Sequence, residues 1–499
     1  MSNNPDLVNY RHPTLANLWG LLETAHDLWI GRRAWFDDTP AIDQGLSYYK
    51  AVKINNKAQR YLPRGEGEES SNYISRLANS RFDRFFRNAI EKDFASILSR
   101  FQVKDIHPVI ESHLNNFDRK GNSIYVFAHS WISKALRDGM AGVFINYPRV
   151  PEGTRLYDIQ SENLRPYPIL YQRKDILNWR FDFDQFGQRH LTKLVLVDYG
   201  SINSGLFGVE TQIQYKYLYM EEDGYQYCQI LGIDSDKTGN EVMYEIEAPV
   251  RTAMPYISFV PLGLDQDPFE ADLPFEDLMD LNISHYRKQS GTDWYMELCK
   301  GPTLNCNDLN PAQFDPNRVE SIKLGPHSVI RNKETSWLFL PPQATEPMNT
   351  DVDRIEDKIH RQTLAFLSGN AAKTATEALL ESTQTQANIL GMAEYIESAF
   401  QTLFRMWTDY VLLEPVPYSG SISLEQTLGL VKMAIMGDVK DVITAFEKGI
   451  LSRPLTLRLL QERGFFGNEF TPEQMEGEIA GISIGNGGEA IPEDAPLGL

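Results

Sequence analysis

The sequence predicts an α+β fold from three observations. The first 140 residues carry helical spacing, a central block reads as short strands joined by turn residues, and the remainder is dominated by long helical patterns. At 499 residues and 57.0 kDa the chain exceeds one ordinary compact core, so several structural regions are expected.

Residues 13–32 and 70–100 read as helices, the second with Phe82, Phe86, Ile90, Phe94 and Ile97 in steps of three or four. The stretch Arg64-Gly-Glu-Gly-Glu-Glu between them is a loop. A shorter helix is expected over 129–138, before the apolar run Ala141 to Tyr147.

From 168 to 260 the period changes. Ile176–Phe183, Leu191–Val197, Gln212–Met220, Tyr225–Leu231 and Val242–Glu247 are rich in β-branched and aromatic residues. The connections around Gly187, Gly224 and Gly239-Asn240 supply the backbone freedom that hairpins need, so an antiparallel meander is predicted.

After Pro274 a helix runs through Leu278, Leu281, His285 and Tyr286 to Trp294 and Leu298, and stops at Gly301-Pro302. Residues 301–347 form a small Pro-containing insertion with extended pieces at Val319–Leu324, His327–Arg331 and Trp337–Leu340. A second helix begins near Thr350-Asp351, carries Val352, Ile355 and Ile359 on one face, and breaks at Ser368-Gly369-Asn370. A third, over 376–413, aligns Met392, Ile396, Ala399, Leu403, Trp407 and Val411. Shorter helices follow at 423–436, 438–448 and 454–463. From Glu469 onward there are seven Asp or Glu and no Lys or Arg, the composition of a solvated, disordered tail.

The formal charge of −20 argues against tight binding of nucleic acid, which requires clustered Lys and Arg, but suits a surface that DNA slides past. The N-terminus shows neither a basic region nor an apolar run, and no stretch reaches the roughly 18 apolar residues of a membrane span. Cys228, Cys299 and Cys306 match no common zinc spacing and read as reduced thiols.

Three stretches resemble tailed-bacteriophage portal proteins, the ring-forming connectors between head and tail. Leu273-Pro-Phe-Glu-Asp-Leu-Met-Asp-Leu-Asn-Ile-Ser-His-Tyr-Arg is similar to the helix entering a portal stem. Trp337-Leu-Phe-Leu-Pro-Pro resembles the strand leaving a portal clip, and the run from Glu447 to Gly464 resembles a portal crown. Together they span roughly 270 to 465, and the helix, insertion, helix, Gly-Asn break and long-helix order agrees.

The resemblance implies an α/β wing over 1–273, a two-helix stem at 274–300 and 348–367, and a mixed α/β clip at 301–347. It further implies a tunnel loop at 368–376, a long wing helix with its return at 377–420, a helical crown at 421–466 and the acidic tail at 467–499. The implied assembly is a ring, usually of about twelve copies, at the unique capsid vertex of a virion built in the bacterial cytoplasm. Double-stranded DNA passes through without sequence readout, and the implied partners are the major capsid protein and scaffold, the large terminase and a head-tail adaptor. No cofactor, membrane or catalytic activity is implied.

By the same resemblance Ser368, Gly369, Asn370, Ala371, Ala372, Lys373 and Thr374 face the channel, a plain helix–helix turn being the alternative. Arg287, Lys288, Asp351, Arg354, Lys358 and Arg361 fall on the stem, as channel wall or subunit interface. Arg318, Lys323, His327, Arg331 and Lys333 fall on the clip, as terminase or adaptor contacts.

Two other functional classes remain. One is a metal-dependent nuclease or hydrolase using Asp182, Asp184 or Asp198; the other is a head or neck structural protein without a channel. The pairs Asp182/Asp184 and Asp234/Asp236 adjoin turn formers, which suits hairpin ends. Gly481-Ile-Ser483-Ile-Gly485 lacks the strand and helix of a nucleophile elbow, and neither HExxH nor a phosphate-binding Gly loop occurs. His285 and His360 are expected on helix faces.

Overall fold

The computed structural model describes residues 4–37, 53–54, 56–66, 68, 70–148, 164–204, 208–235, 240–299, 303–307, 329–332, 336–338, 345–363, 375–412 and 418–424. The chain divides into two units, Met1–Asn370 with Gly391–Leu424, and Ala371–Leu390 with Glu425–Leu499. In the second unit the described residues are the opening turns of one long helix.

Within the first unit, helix α1 (Pro13–Ile30) ends where Gly31 takes φ 77° and donates to the Asp27 carbonyl at 2.8 Å. Two short strands, β1 (Phe36–Asp37) and β2 (Lys53–Ile54), pair antiparallel. The single helix expected over 70–100 is instead two. Helix α2 (Ser70–Asn79) stops, and helical structure resumes at Phe85–Asn88, passes through a π-helical turn at Ala89–Phe94, and closes at Ala95–Leu98. The reason is tertiary: the Asn282 side chain accepts from Phe86 N–H at 3.1 Å and donates to the Asp83 carbonyl at 2.8 Å, completing groups that a continuous helix would pair internally.

Strand β3 (Gln102–Lys104) precedes helix α3 (Ile124–Asp138), which starts five residues earlier than expected because Ser123 caps it. Gly139, at φ 80°, ends α3, and a side chain there would meet the Asp272 carbonyl. The chain then enters β4 (Met140–Asn146), the centre of a three-stranded antiparallel sheet with β5 (Tyr167–Gln172) and the later strand Phe259–Gly263.

The predicted meander is present as β6 (Ile176–Phe183), β7 (Arg189–Ser204), β8 (Gly208–Met220), β9 (Gln226–Ser235) and β10 (Glu241–Arg251), in sequential antiparallel order. Strand β11 (Phe259–Gly263) returns to the smaller sheet. Asp184 and Asp223 accept backbone N–H groups in the two tight turns, with Gly187 and Gly224 at φ 78° and 75°. Strand β10 is itself an outer strand of this sheet, with Glu241, Glu245 and Glu247 along it and two register shifts against β9. N-terminal residues lie on this sheet: Asn9 Nδ2 donates to Glu241 at 3.1 Å, His12 N–H donates to the Leu177 carbonyl at 2.8 Å, and the His12 ring stacks on Trp179 at 4.1 Å.

Helix α4 (Glu276–Cys299) and helix α5 (Thr345–Gln362) flank a small mixed sheet. In it β12 (Thr303–Asn307) pairs parallel with β13 (Val329–Asn332) and antiparallel with β14 (Ser336–Leu338). Helix α5 begins three residues before the expected boundary of 348, and its last turn closes at Gln362 rather than 367. Helix α6 (Ala375–Leu412) takes in residues 375 and 376, which were expected in the loop. Its end packs into the core of the first unit, where Phe400, Phe404 and Trp407 meet Trp131 and Phe117.

The buried stripe of α6 runs through Ala393, Ile396, Phe400, Leu403 and Trp407, whereas Met392 is half-buried and Val411 is 38% exposed. Successive steps of four overshoot the helical turn, so the expected 403–407–411 series rotates off the core. Residues 421–423, assigned by sequence to the crown, form strand β15 (Ser421–Ser423), paired with β3. The remaining crown, 425–466, and the tail, 467–499, lie outside the described residues.

The turn that joins β5 to the meander packs charged groups against α3. Arg137 grips Asp138 through two hydrogen bonds of 2.7 and 2.6 Å, and the fully buried Arg173 donates to the carbonyls of Asp138, Ala271 and Phe269. Beside them burial pushes Asp175 from the ordinary 3.8 up to about 6, although Tyr199 donates to it at 3.2 Å. Folding therefore binds a proton at Asp175 between about pH 4 and 6, so stability falls as pH rises through that window and stays lowered above it. Asp175→Asn is expected to raise the thermal unfolding midpoint at pH 7.5, by a gain of at most about 3 kcal/mol, and to leave it unchanged below pH 4.

Candidate functional site

The α4/α5 hairpin and the segments attached to it hold the sequence-selected residues. Helix α4 opens with Glu276 and Asp277, acids that favour a helix N-terminus. Its buried face is unusually polar: Leu278, Met279 and Tyr286 share it with Asn282, His285, Ser290 and Thr292. Each polar group answers a neighbour. Besides Asn282, Ser290 Oγ lies 2.6 Å from Ser80 Oγ, and Arg287 donates to the carbonyls of Tyr61 at 3.0 Å and Arg60 at 2.9 Å. Arg287, exposed on α4, thus also ties that helix to the segment ending at Tyr61.

Helix α5 buries Val352, Ile355 and Ile359 on one stripe, as expected from their spacing. It packs antiparallel to α4, because His285 meets Glu356 at 2.9 Å while Lys288, further along, meets Asp351 at 3.1 Å, further back. His285 is buried on its helix, with Nε2 engaged by Glu356 and its ring edge-on to Phe85. His360 is exposed on the outer face.

The hairpin's outer surface mixes both signs. Asp351 accepts from Lys288 and lies 3.5 Å from Arg354, and the Lys288 hydrogen bond holds its carboxyl below the usual range. Lys288, Asp351, Arg354, Lys358 and Arg361 line a groove of about 390 Å³. Lys358 and Arg361 also reach a second groove of about 450 Å³, whose opposite wall holds Asp277, Asp280 and Ser284. The structure therefore brings together five of the six expected stem residues on one water-facing, charge-alternating surface.

The other expected positions are placed only in part. Arg331 lies on β13, opposite Cys306 of β12. Arg318, Lys323, His327 and Lys333, and Ser368 through Thr374, lie outside the described residues.

The carboxylates considered for metal each have another role. Asp182 accepts from Thr192 at 2.7 Å and Arg180 at 3.1 Å, and Asp184 orders its turn. Asp198 joins Lys216 at 2.8 Å and Tyr171 at 2.7 Å. Among the described residues no group of three His, Cys, Asp or Glu could hold a metal ion, and no helix is long and apolar enough to cross a membrane. The Lys216–Asp198–Tyr171 cluster escapes a reading of hydrophobic pattern; its one signal is Lys216 at an inward position between Gln214 and Leu218.

Residues 274–411 match the family described as "Domain of unknown function (DUF4055)", a span that takes in the hairpin, its insertion and nearly all of α6. No curated protein matches the chain. Among solved structures, a chain from "Neck of empty GTA particle computed with C6 symmetry" is similar at 10% identity, covering 80% of this chain and 95% of that one, with a TM-score of 0.32. Likeness of that degree assigns this chain no role.

The hairpin's anchorage and its surface charges should respond differently to substitution. Asn282→Ala leaves a buried N–H and a carbonyl unpaired and is expected to cost about 1–3 kcal/mol in denaturant unfolding. Lys288→Gln, at an exposed pair, should leave the thermal midpoint unmoved at physiological salt.

Proposed function

We propose that this chain is the subunit of a phage-type portal ring, a non-enzymatic conduit for DNA at a capsid vertex. The observation that carries the reading is an antiparallel helix pair closing on a small mixed sheet and followed by a helix of 38 residues. This is the element order that the resemblance over 270 to 465 implies for stem, clip and long wing helix.

The surface chemistry supports it. A wall that clasped phosphates would hold DNA by a salt-dependent increment at each contact. The hairpin surface instead intersperses Asp277, Asp280, Asp351 and Asp357 with Lys288, Arg354, Lys358 and Arg361, so no continuous cationic track forms. At physiological salt such charges act over only about 8 Å, which suits lubrication near contact rather than long-range attraction. In this reading the β12–β14 insertion docks the packaging motor and later the adaptor, and residues 368–374 form the tunnel loop.

Mass photometry of purified protein tests the ring. Closed particles of about twelve copies, roughly 0.7 MDa at 57.0 kDa each, with a central hole in electron micrographs, are expected. A species that stays monomeric at all concentrations and shows no annular density at a capsid vertex would overturn the reading. Replacing Lys373 and shortening 368–374 should alter packaged genome length or retention, measured on purified virions.

A further inference from the structure

The hairpin joining β6 to β7 ends in an apolar tip that no other described residue covers. Phe183 is 71% exposed and Phe186 84%. Loose chain does not account for this: Asp184 Oδ1 accepts the N–H groups of Phe186 and Gln188, both at 2.8 Å, and Gly187 supplies the positive φ that closes the turn. Two phenyl rings are thereby held out in water on an ordered turn.

The same meander also contains a cavity of about 470 Å³. Trp179, Val195, Tyr217, Leu231 and Met243 line it from the sheet, and Leu7 and Val8 from the N-terminal segment lying across the strands. Arg180, Lys193 and Asp6 add charge to its lining. An aromatic and aliphatic floor with a few polar groups is the lining expected where a large apolar side chain is received.

The tip and the strand residues of the cavity other than Trp179, which borders both, belong to opposite faces of the sheet. Trp179 and Phe181 both pack on Phe269, with ring centroids 5.1 and 5.2 Å away, and strand alternation puts Phe183 on that same side. Lys193 and Val195 pair in register with Arg180 and Asn178, which alternate to the other side. A copy cannot turn its own tip into its own cavity, whereas copies stacked head to tail would each use both surfaces. In such a stack Asp184, which bonds His190 at 3.3 Å, would come with the tip to Lys193 in the lining of the next copy's cavity, Arg180 there being paired with its own Asp182.

We propose that Phe183 and Phe186 of one subunit seat in the Val195/Tyr217/Leu231/Met243 cavity of its neighbour. Tip and cavity are different patches, so the contact is heterologous and closes only by rotation around a ring. The inference rests on the ring reading for the second copy and goes beyond it by naming the contact.

The test compares wild type, Phe183→Ser/Phe186→Ser and Met243→Trp by mass photometry across a concentration series, with circular dichroism to verify the fold. Both variants are expected to keep the wild-type spectrum and to need about tenfold or more protein to assemble. Separately, Phe186→Cys and Met243→Cys chains mixed under mild oxidation should give a disulfide-linked dimer that neither variant gives alone. If wild type assembles and both variants assemble equally well, or the mixed chains give no dimer, this contact is wrong and the ring stands. If wild type never assembles, both fall.

Discussion

Asn282 supplies, from one helix, the hydrogen bonds that another segment's backbone lacks. Its amide closes on Phe86 N–H and the Asp83 carbonyl, where the helix interrupted after Asn79 resumes. Arg287 and Ser290 add further bonds about one and two turns along, toward the carbonyls of Arg60 and Tyr61 and toward Ser80. An apolar residue at 282 would leave the Phe86 N–H and the Asp83 carbonyl without this partner, at a cost of roughly 1–3 kcal/mol. The hairpin is therefore fixed in direction as well as in place, because hydrogen bonds, unlike apolar contacts, specify orientation.

Among the described residues, charged groups enter the interior of the first unit only with partners. Arg137, Arg165 and Arg173 are buried, engaged by a carboxylate or by backbone carbonyls. Burial also lowers the Arg165 pKa to about 10, with Arg119 nearby adding to the effect. Asp27, Asp118 and Asp138 are buried as well, so the interior carries both signs.

Local periodicity made the meander, α1, the stripe of α5 and the existence of α6 legible, and turn chemistry at Gly187 and Gly224 placed two hairpins correctly. What stayed hidden was set by distant residues. The break between α2 and Phe85 depends on an amide two hundred positions away, and the first strand of the insertion, β12, carries no alternating pattern to mark it. Arg287 stood out for its charge, while the two carbonyls it bonds could be found only in the folded chain. Lys216 shows how a single inward cation can be stabilised by an acid and a phenol that only the folded sheet brings near.

The acidic, twice-shifted β10 bears on a hazard common to any sheet with an open edge. Its carboxylates and interrupted register make the sheet's outer margin a poor template for another chain's amides. Crowded molecules are thereby discouraged from zipping into open-ended amyloid-like fibres, and association is left to side-chain surfaces whose geometry can terminate growth.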